Sequence, residues 1–300
     1  MDYQDLIERF VNGYGSIHTQ RAYRQDLGLW VAYCQERGID PVQATRHDVE
    51  SWARQLERQG RGASTVKRRI GTLSSWFEYL MDEHDVARSP ATRVRRPRVD
   101  TESKTAGLTA AQLVKIAELA EQTGTLEHAL VMLLGFLGLR VGETCSARVE
   151  HLGEEDGRRV LHLPKRKGGK IGLAVLPPSV AAAVDAHVAG RVAGPLLLHP
   201  QQAKYGVHRQ TNLPYGTAYS IIKRLARRAG LPAIHPHSLR HTFATLALDA
   251  GVDMYDLQLA MGHSSSDTTM RYDRARARLQ RSPSLAVEEI LRRASTPPAA

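Results

Sequence analysis

Only two cysteines, Cys34 and Cys145, occur in the 300 residues, too few for a disulfide framework or a four-cysteine zinc site. Aromatic residues make up 6% of the chain, which disfavours an aromatic-lined sugar groove or single-strand groove. No uncharged apolar run reaches the roughly 18 residues that a membrane helix needs. The longest, Ala129 to Leu139, falls well short. The first residues, Met1-Asp2-Tyr3-Gln4-Asp5, carry acids where a signal peptide carries bases. Internal repeats are absent, and so is a glycine-rich phosphate loop closed by Lys-Ser or Lys-Thr. These absences exclude membrane, secreted and collagen-like classes, and the expectation is a soluble, cytoplasmic protein.

What the sequence does have is positive charge. Lys and Arg total 41 against 31 Asp and Glu, a net charge of +10, and the pI is near 9.8. Such a balance points to a polyanionic partner without naming it. A length of 300 residues predicts about two domains, and a hydrophobic fraction of 42% supplies a core for each. The first 100 residues hold 16 bases and 14 acids, whereas the remaining 200 hold 25 and 17. Between Ser89 and Thr105 lie Pro90, Pro97 and the run Arg93, Arg95, Arg96, Arg98. A segment so rich in proline and arginine is expected to stay extended as a linker, solvated or in contact with phosphates. The division read from this pattern is 1–88, a basic linker 89–105, 106–282, and a tail 283–300.

The first domain reads as all-helical. Tyr23, Leu27, Trp30 and Cys34 recur at helical spacing within Thr19 to Glu36. Thr45 with Asp48 forms a capping-box pattern before Val49, Trp52 and Leu56. A longer helix follows Ser64, with Val66, Ile70, Leu73, Phe77 and Leu80 on its buried stripe. Arg54, Arg58, Arg61, Lys67, Arg68 and Arg69 collect on the opposite side and the preceding loop, with Glu57 the one acid among them. The plain reading is a solvated face; the sharper one is a track along a phosphate backbone.

The second domain opens with a helix cap at Leu108-Thr109 and is mostly helical to about Arg281. Gly157 to Leu163 and Ile171 to Leu176 have β character and flank Pro164-Lys-Arg-Lys-Gly-Gly-Lys170, a hairpin pattern. Helices resume over Ser179–Arg191, Thr217–Ala229, Leu239–Ala250 and Asp253–Met261, and Leu285 to Arg293 is a short amphipathic stretch.

Several residues there have chemical potential. His237 and Arg240 project from one face of a helix start, and His241 follows His237 by one turn. Two histidines at that spacing invite zinc, but the metalloprotease pattern needs Glu where Ser238 stands. An ordinary helix N-terminus with a buried histidine is a further reading. An anion site is the third, since a helix N-terminus favours phosphate and the planar fork of Arg240 grips two oxygens. Arg140 follows a hydrophobic helix and needs a partner, for which Glu143 or a phosphate would serve. Gly262-His263 precedes Tyr272 by nine residues, counted from the histidine.

Together, Arg140, Lys167 in the hairpin, His237-x-x-Arg240, Gly262-His263 and Tyr272 resemble the signature of the tyrosine recombinases, the phage-integrase family, in a two-domain Xer-like layout. The resemblance spans nearly the whole chain. It implies a mainly α protein: an N-terminal helical core-binding (SAM-like) domain and a mostly helical catalytic domain with a small β-hairpin. It implies that Tyr272 attacks a phosphodiester of double-stranded DNA at a specific recombination site, forming a 3′-phosphotyrosyl link and freeing a 5′-hydroxyl. Arg140, Arg240 and His263 would then stabilise the phosphorane, Lys167 would act as general acid and His237 as base toward the phenol. Lys165, Arg166 and Lys170 crowd the same loop; Lys167 is chosen because it opens Lys-Gly-Gly-Lys. No cofactor is expected, because arginines supply the charge that a metal supplies elsewhere and the phosphotyrosine stores the bond energy. Backbone contacts are expected from Arg54, Arg58, Arg61, Lys67, Arg68, Arg69, Arg95 and Arg96. The working assembly would be a homo- or hetero-tetramer on DNA, with no membrane partner. The rival reading is a catalytically silent DNA-binding regulator on the same scaffold.

Overall fold

The computed structural model describes residues 2–84, 86–98, 107–164, 172–202 and 210–262. The chain divides into two compact units, residues 1–100 and 101–300.

The first unit contains four helices: α1 (Tyr3–Asn12), α2 (Ile17–Gln35), α3 (Arg46–Arg58) and α4 (Ala63–Glu83). Local chemistry sets their starts. Asp2 accepts from Gln4 N at 2.8 Å, and Ser16 accepts from Thr19 N at 3.4 Å. The Thr45–Asp48 capping box forms as the spacing predicts, with Thr45 N donating to Asp48 Oδ2 at 2.8 Å. The predicted stripes meet in one core: Leu27, Trp30, Val49, Trp52, Leu56, Val66, Ile70, Leu73, Phe77 and Leu80 are all buried. Trp30 packs edge-on to Trp52 and donates its indole N–H to the Pro41 carbonyl at 3.2 Å. A buried indole is thereby satisfied.

Two expectations for this unit need correction. Arg68 and Arg69 do not belong to an unopposed basic face. Asp26 of α2, 1% exposed, pairs with Arg68, lies 3.5 Å from Arg69 Nε and accepts from Thr72 Oγ1 at 3.0 Å. Arg69 is itself buried. A carboxylate buried beneath α4 requires cationic partners, so these two arginines are held by the fold. The second correction concerns the segment after Ser89, which is not a free linker up to Arg98. Ala91 and Val94 join the first unit's core, and Arg96 donates to Ser74 Oγ at 3.1 Å.

The second unit begins with a capping box in which Thr109 Oγ1 accepts from Gln112 N at 3.2 Å, opening α5 (Ala110–Thr123). Next come α6 (Thr125–Gly135) and α7 (Val141–Ser146). Helix α6 is apolar on all sides, and Ala129 to Leu134 are all buried. It forms the centre of the unit, packed against α5, α10 (Pro236–Asp249) and α8 (Pro178–Val188). Among the described residues the remaining helices are α9 (Tyr215–Arg228) and α11 (Met254–Met261). α10 starts earlier than the apolar pattern indicates because Pro236 occupies its first turn, where no N–H is needed.

The hairpin forms as predicted: β2 (Arg158–Leu163) pairs antiparallel with β3 (Gly172–Val175), with Leu163 opposite Gly172. A third strand, β1 (Leu152–Glu155), was not anticipated and pairs with β2 across the Asp156-Gly157 turn. Both turn residues have positive φ, 49° and 71°, the Asp-Gly signature of a tight hairpin.

His187 joins α8 to the start of α6. Leu198 N–H donates to its Nε2 at 3.1 Å, so the proton sits on Nδ1, 3.1 Å from Thr125 Oγ1. Burial, with nearby Arg191, pushes its pKa down to about 4 from the ordinary 6.5. The folded ring therefore stays neutral while the unfolded chain takes up a proton below pH 6.5. Stability is full above that value and is lost as pH falls toward 4. Denaturant unfolding should lose about 2 kcal/mol from this group between pH 7 and pH 5. The loss should be absent in His187→Gln, whose difference from the parent should shrink by that amount at pH 5.

Candidate active site

Three turns of the second unit converge through two arginines. Arg140 stands at the N-cap of α7, where the Glu143 carboxylate holds it twice: Oε2 accepts from the Arg140 backbone N at 2.9 Å and Oε1 from Nη1 at 2.8 Å. Glu143 is thus the partner that the spacing indicated. The other end of the guanidinium, Nη2, donates to the Gly262 carbonyl at 2.7 Å.

Arg240, on the first turns of α10, is only 2% exposed. Its Nη1 donates to the Gly138 carbonyl, and its Nη2 donates to the Met261 carbonyl at 2.6 Å. The two arginines therefore grip consecutive carbonyls at the end of α11, immediately before His263 in the chain. Gly262 closes α11 in the left-handed conformation, with φ 60°.

Gly138 is required for the same geometry. Its φ is +62°, and a Cβ there would lie 2.3 Å from Cδ1 of the Phe243 ring. Glycine lets the α6–α7 turn fold tightly against α10, so that the carbonyl of Gly138 reaches Arg240.

His237 lies on the same first turn of α10, with its side chain partly open to solvent. Its pKa is lowered, first by the protein packed around the ring and then by Arg240, His235, His241 and Arg140. A neutral imidazole, able to accept a proton, results. His241 faces the interior instead, 5% exposed, with Nδ1 3.4 Å from Thr245 Oγ1. Neighbouring Thr242 ties α10 to the lead into α5, accepting from Leu108 N at 2.8 Å. Among the described residues no group of three or more His, Cys, Asp or Glu side chains is arranged to hold a metal ion.

Lys167, His263 and Tyr272 lie outside the described residues, as does the amphipathic stretch from Leu285 to Arg293. The base of the lysine hairpin is described, and it is close to the arginine centre. Leu163 and Pro164 share a cavity of about 320 Å³ with Glu143, Ala147 and Arg148.

In the first unit, Arg54, Arg58, Arg61 and Lys67 are exposed, as is Arg68 despite its pairing with Asp26, whereas Arg69 is buried. Arg54 meets Arg95 and Arg96 in a cleft of about 590 Å³ between α3 and residues 94–98, together with Arg46, Arg98 and Glu57. Sequence reading separated these bases into a helix track and a linker. Folding the segment onto α3 makes them one basic surface.

Reasoning from sequence missed the carbonyls of Gly138, Met261 and Gly262 as anchors, since a backbone group leaves no side-chain signal. The glycines did leave one, because each stands next to a motif residue where a side chain would be more usual.

Comparison with known proteins gives the same picture over both units. The phage integrase family matches residues 107–278, and the phage integrase N-terminal SAM-like domain matches residues 7–84. Tyrosine recombinase XerD of Listeria monocytogenes is 28% identical over 291 residues, covering 89% of this chain and 93% of that protein. Tyrosine recombinase XerC of Herpetosiphon aurantiacus is 29% identical over 279 residues, covering 89% and 86%. Among solved structures, the XerH site-specific recombinase bound to its palindromic difH substrate, a post-cleavage complex, has a TM-score of 0.70 at 18% identity, covering 91% of this chain and 81% of that one. A lambda integrase tetramer bound to a Holliday junction has a TM-score of 0.67 at 19% identity, covering 91% and 78%. The chain belongs to the phage integrase family.

Proposed function

We propose that this chain cleaves and rejoins double-stranded DNA at a specific site, with Tyr272 as nucleophile, Arg140, Arg240 and His263 around the phosphate, His237 as base and Lys167 as general acid. Membership of the tyrosine recombinase family makes site-specific DNA recombination its activity. Nothing found supports the silent regulator. The observation that carries the residue assignment is the convergence of Arg140 and Arg240 on the carbonyls of Gly262 and Met261. It brings two permanently charged forks to one place, beside the backbone that leads into His263 and Tyr272.

The steps proposed are these. The Tyr272 oxygen attacks phosphorus and passes its proton to neutral His237. Negative charge grows on the non-bridging oxygens, and guanidinium donors held in advance stabilise it without reorganising. The bond from phosphorus to the 5′-oxygen breaks as Lys167 supplies a proton, leaving a 3′-phosphotyrosine and a free 5′-hydroxyl. Rejoining runs the same steps backward from the 5′-hydroxyl of the new partner strand. The carbonyls of Gly138 and Met261 satisfy the buried Arg240 guanidinium, so its charge is held in place before the phosphate arrives.

The cleft lined by Arg54, Arg95 and Arg96 supports backbone binding by the first unit, with Arg58, Arg61 and Lys67 extending it. Asp26 holds both Arg68 and Arg69; Arg69 is buried there, while Arg68 keeps part of its side chain at the surface beside Lys67. The functional parts are 1–88, 89–105, 106–282 and 283–300, and the stretch of the second part up to Arg98 packs on the first. XerH and lambda integrase provide the precedent for a specific DNA site and a tetramer. An enzyme of DNA works where its substrate is, and this reading places it in the cytoplasm.

The test is one incubation with nicked DNA carrying the site selected from random sequence, followed by a denaturing gel with and without EDTA. A protein–DNA adduct should appear equally in both lanes. Tight, selective binding without any adduct would leave a DNA-binding regulator in its place.

A further inference from the structure

The first residue of α10 is preceded by His235 at the N-cap, a position where Ser, Thr, Asn or Asp is preferred. Its backbone does what a cap requires without the ring: its N–H donates to Ser238 Oγ at 3.3 Å and its carbonyl accepts from Ser238 N at 2.8 Å. The ring is turned elsewhere, and its Nδ1 is buried with no hydrogen-bond partner among the described residues. That arrangement costs stability, because a ring nitrogen has left water for nothing. Helix capping therefore does not explain this histidine.

The rings around it do. His235 lies nearly parallel to His237, at 10° with centroids 6.3 Å apart. Tyr219 lies at 22° and 6.1 Å from the His235 ring, and Tyr215 lies 4.9 Å from Tyr219. Tyr215 and Tyr219 are one turn apart on α9, and their hydroxyls are 3.4 Å from each other. Successive ring contacts thus link four rings from α9 to the histidine assigned as proton acceptor. His237 sits at a helix start with its side chain partly open to solvent, where an unsupported imidazole samples several rotamers.

We propose that His235, backed by Tyr219, is a positioning residue that holds the His237 ring in its working orientation. The inference rests on the recombinase reading, because it assumes that His237 takes part in DNA cleavage. The stack acts through ring shape and contact, so an aromatic ring without nitrogens should replace it, and a good helix cap without a ring should not. The two roles that position 235 could serve therefore predict opposite orders for the same two variants.

The experiment uses the full chain and single-turnover cleavage of the nicked DNA described above, with DNA affinity and thermal unfolding measured alongside. His235→Asn should unfold at the parent temperature or above it and bind DNA equally well, yet cleave about tenfold more slowly. His235→Phe should cleave within about threefold of the parent, even if its melting temperature falls. Tyr219→Phe, which keeps the ring and removes the hydroxyl, should match the parent, while Tyr219→Leu should fall toward the asparagine variant. Parent-like cleavage by His235→Asn, or equal slowing by Asn and Phe, overturns the proposal. Failure of the parent protein itself to form an adduct counts against the recombinase reading, a result separate from the order of the variants.

Discussion

Tyr272→Phe should abolish the covalent DNA adduct while leaving site-specific DNA binding unchanged. The substitution removes one oxygen and preserves the ring, so whatever packing the side chain makes is kept and the nucleophile is lost. The expected drop in adduct formation is at least about 10⁴-fold, the scale at which deleting a nucleophile leaves only binding and electrostatics. It would be read as the disappearance of the slow band on a denaturing gel, with a native gel run on the same samples. The structure makes the control meaningful, because two other tyrosines connect to His237 through His235, Tyr219 against its ring and Tyr215 against Tyr219. Tyr215 is a poor substitute: burial and the hydrogen bond with Tyr219 push its phenol up to about 12. An adduct that persisted in Tyr272→Phe and vanished in Tyr219→Phe would move the nucleophile to α9 and sink the assignment of Tyr272.

Arg240→Lys should lower single-turnover cleavage by roughly 10³-fold although the positive charge is retained. A lysine carries its donors on one atom. It cannot span the Gly138 and Met261 carbonyls, which Arg240 bridges with its two terminal nitrogens, and still present a planar edge to a phosphate. The same change should destabilise the second unit by about 3 kcal/mol, since the site is buried and two carbonyls lose a fitted donor. Chemistry and stability are separable by measuring cleavage well below the variant's melting temperature. Arg140→Lys provides the comparison. Arg140 is 27% exposed in its side chain and is clamped by Glu143, so its loss should reduce cleavage comparably with a smaller effect on unfolding. Cleavage by Arg240→Lys within a few-fold of the parent would mean that the guanidinium serves the fold alone.

Both predictions rest on a site whose parts were readable at different depths. Arg140, His237 and Arg240 stood out in the sequence because of their order and spacing relative to Gly262-His263 and Tyr272. Glu143 was found from its three-residue offset, which a helix N-terminus turns into contact. The series of ring contacts that ends on His237 was not found, since it joins the start of α10 to α9 through ring planes that only folding brings together. In the sheet, β1 was missed because Leu152-Gly-Glu-Glu lacks alternation. The available signal was Asp156-Gly157, the turn that pairs Glu155 with Arg158.

By itself, the sequence determined what depends on neighbours a few residues apart. Capping boxes at Thr45 and Thr109, apolar stripes on α2 to α4, the buried α6 and the β2–β3 hairpin all follow from local hydrogen bonding and side-chain periodicity. Tertiary structure alone decided which charges are available and which are already matched. The absences that opened the reading left a surplus of bases with no stated destination. Asp26, more than forty residues earlier in the chain, pairs with Arg68 and buries Arg69 beside it. Ala91 and Val94 draw Arg95 and Arg96 to the side of Arg54. Arg240 reaches a carbonyl 102 residues away and Arg140 one 122 residues away. Such pairings are set by how helices pack within each unit, and a local sequence window carries no record of them.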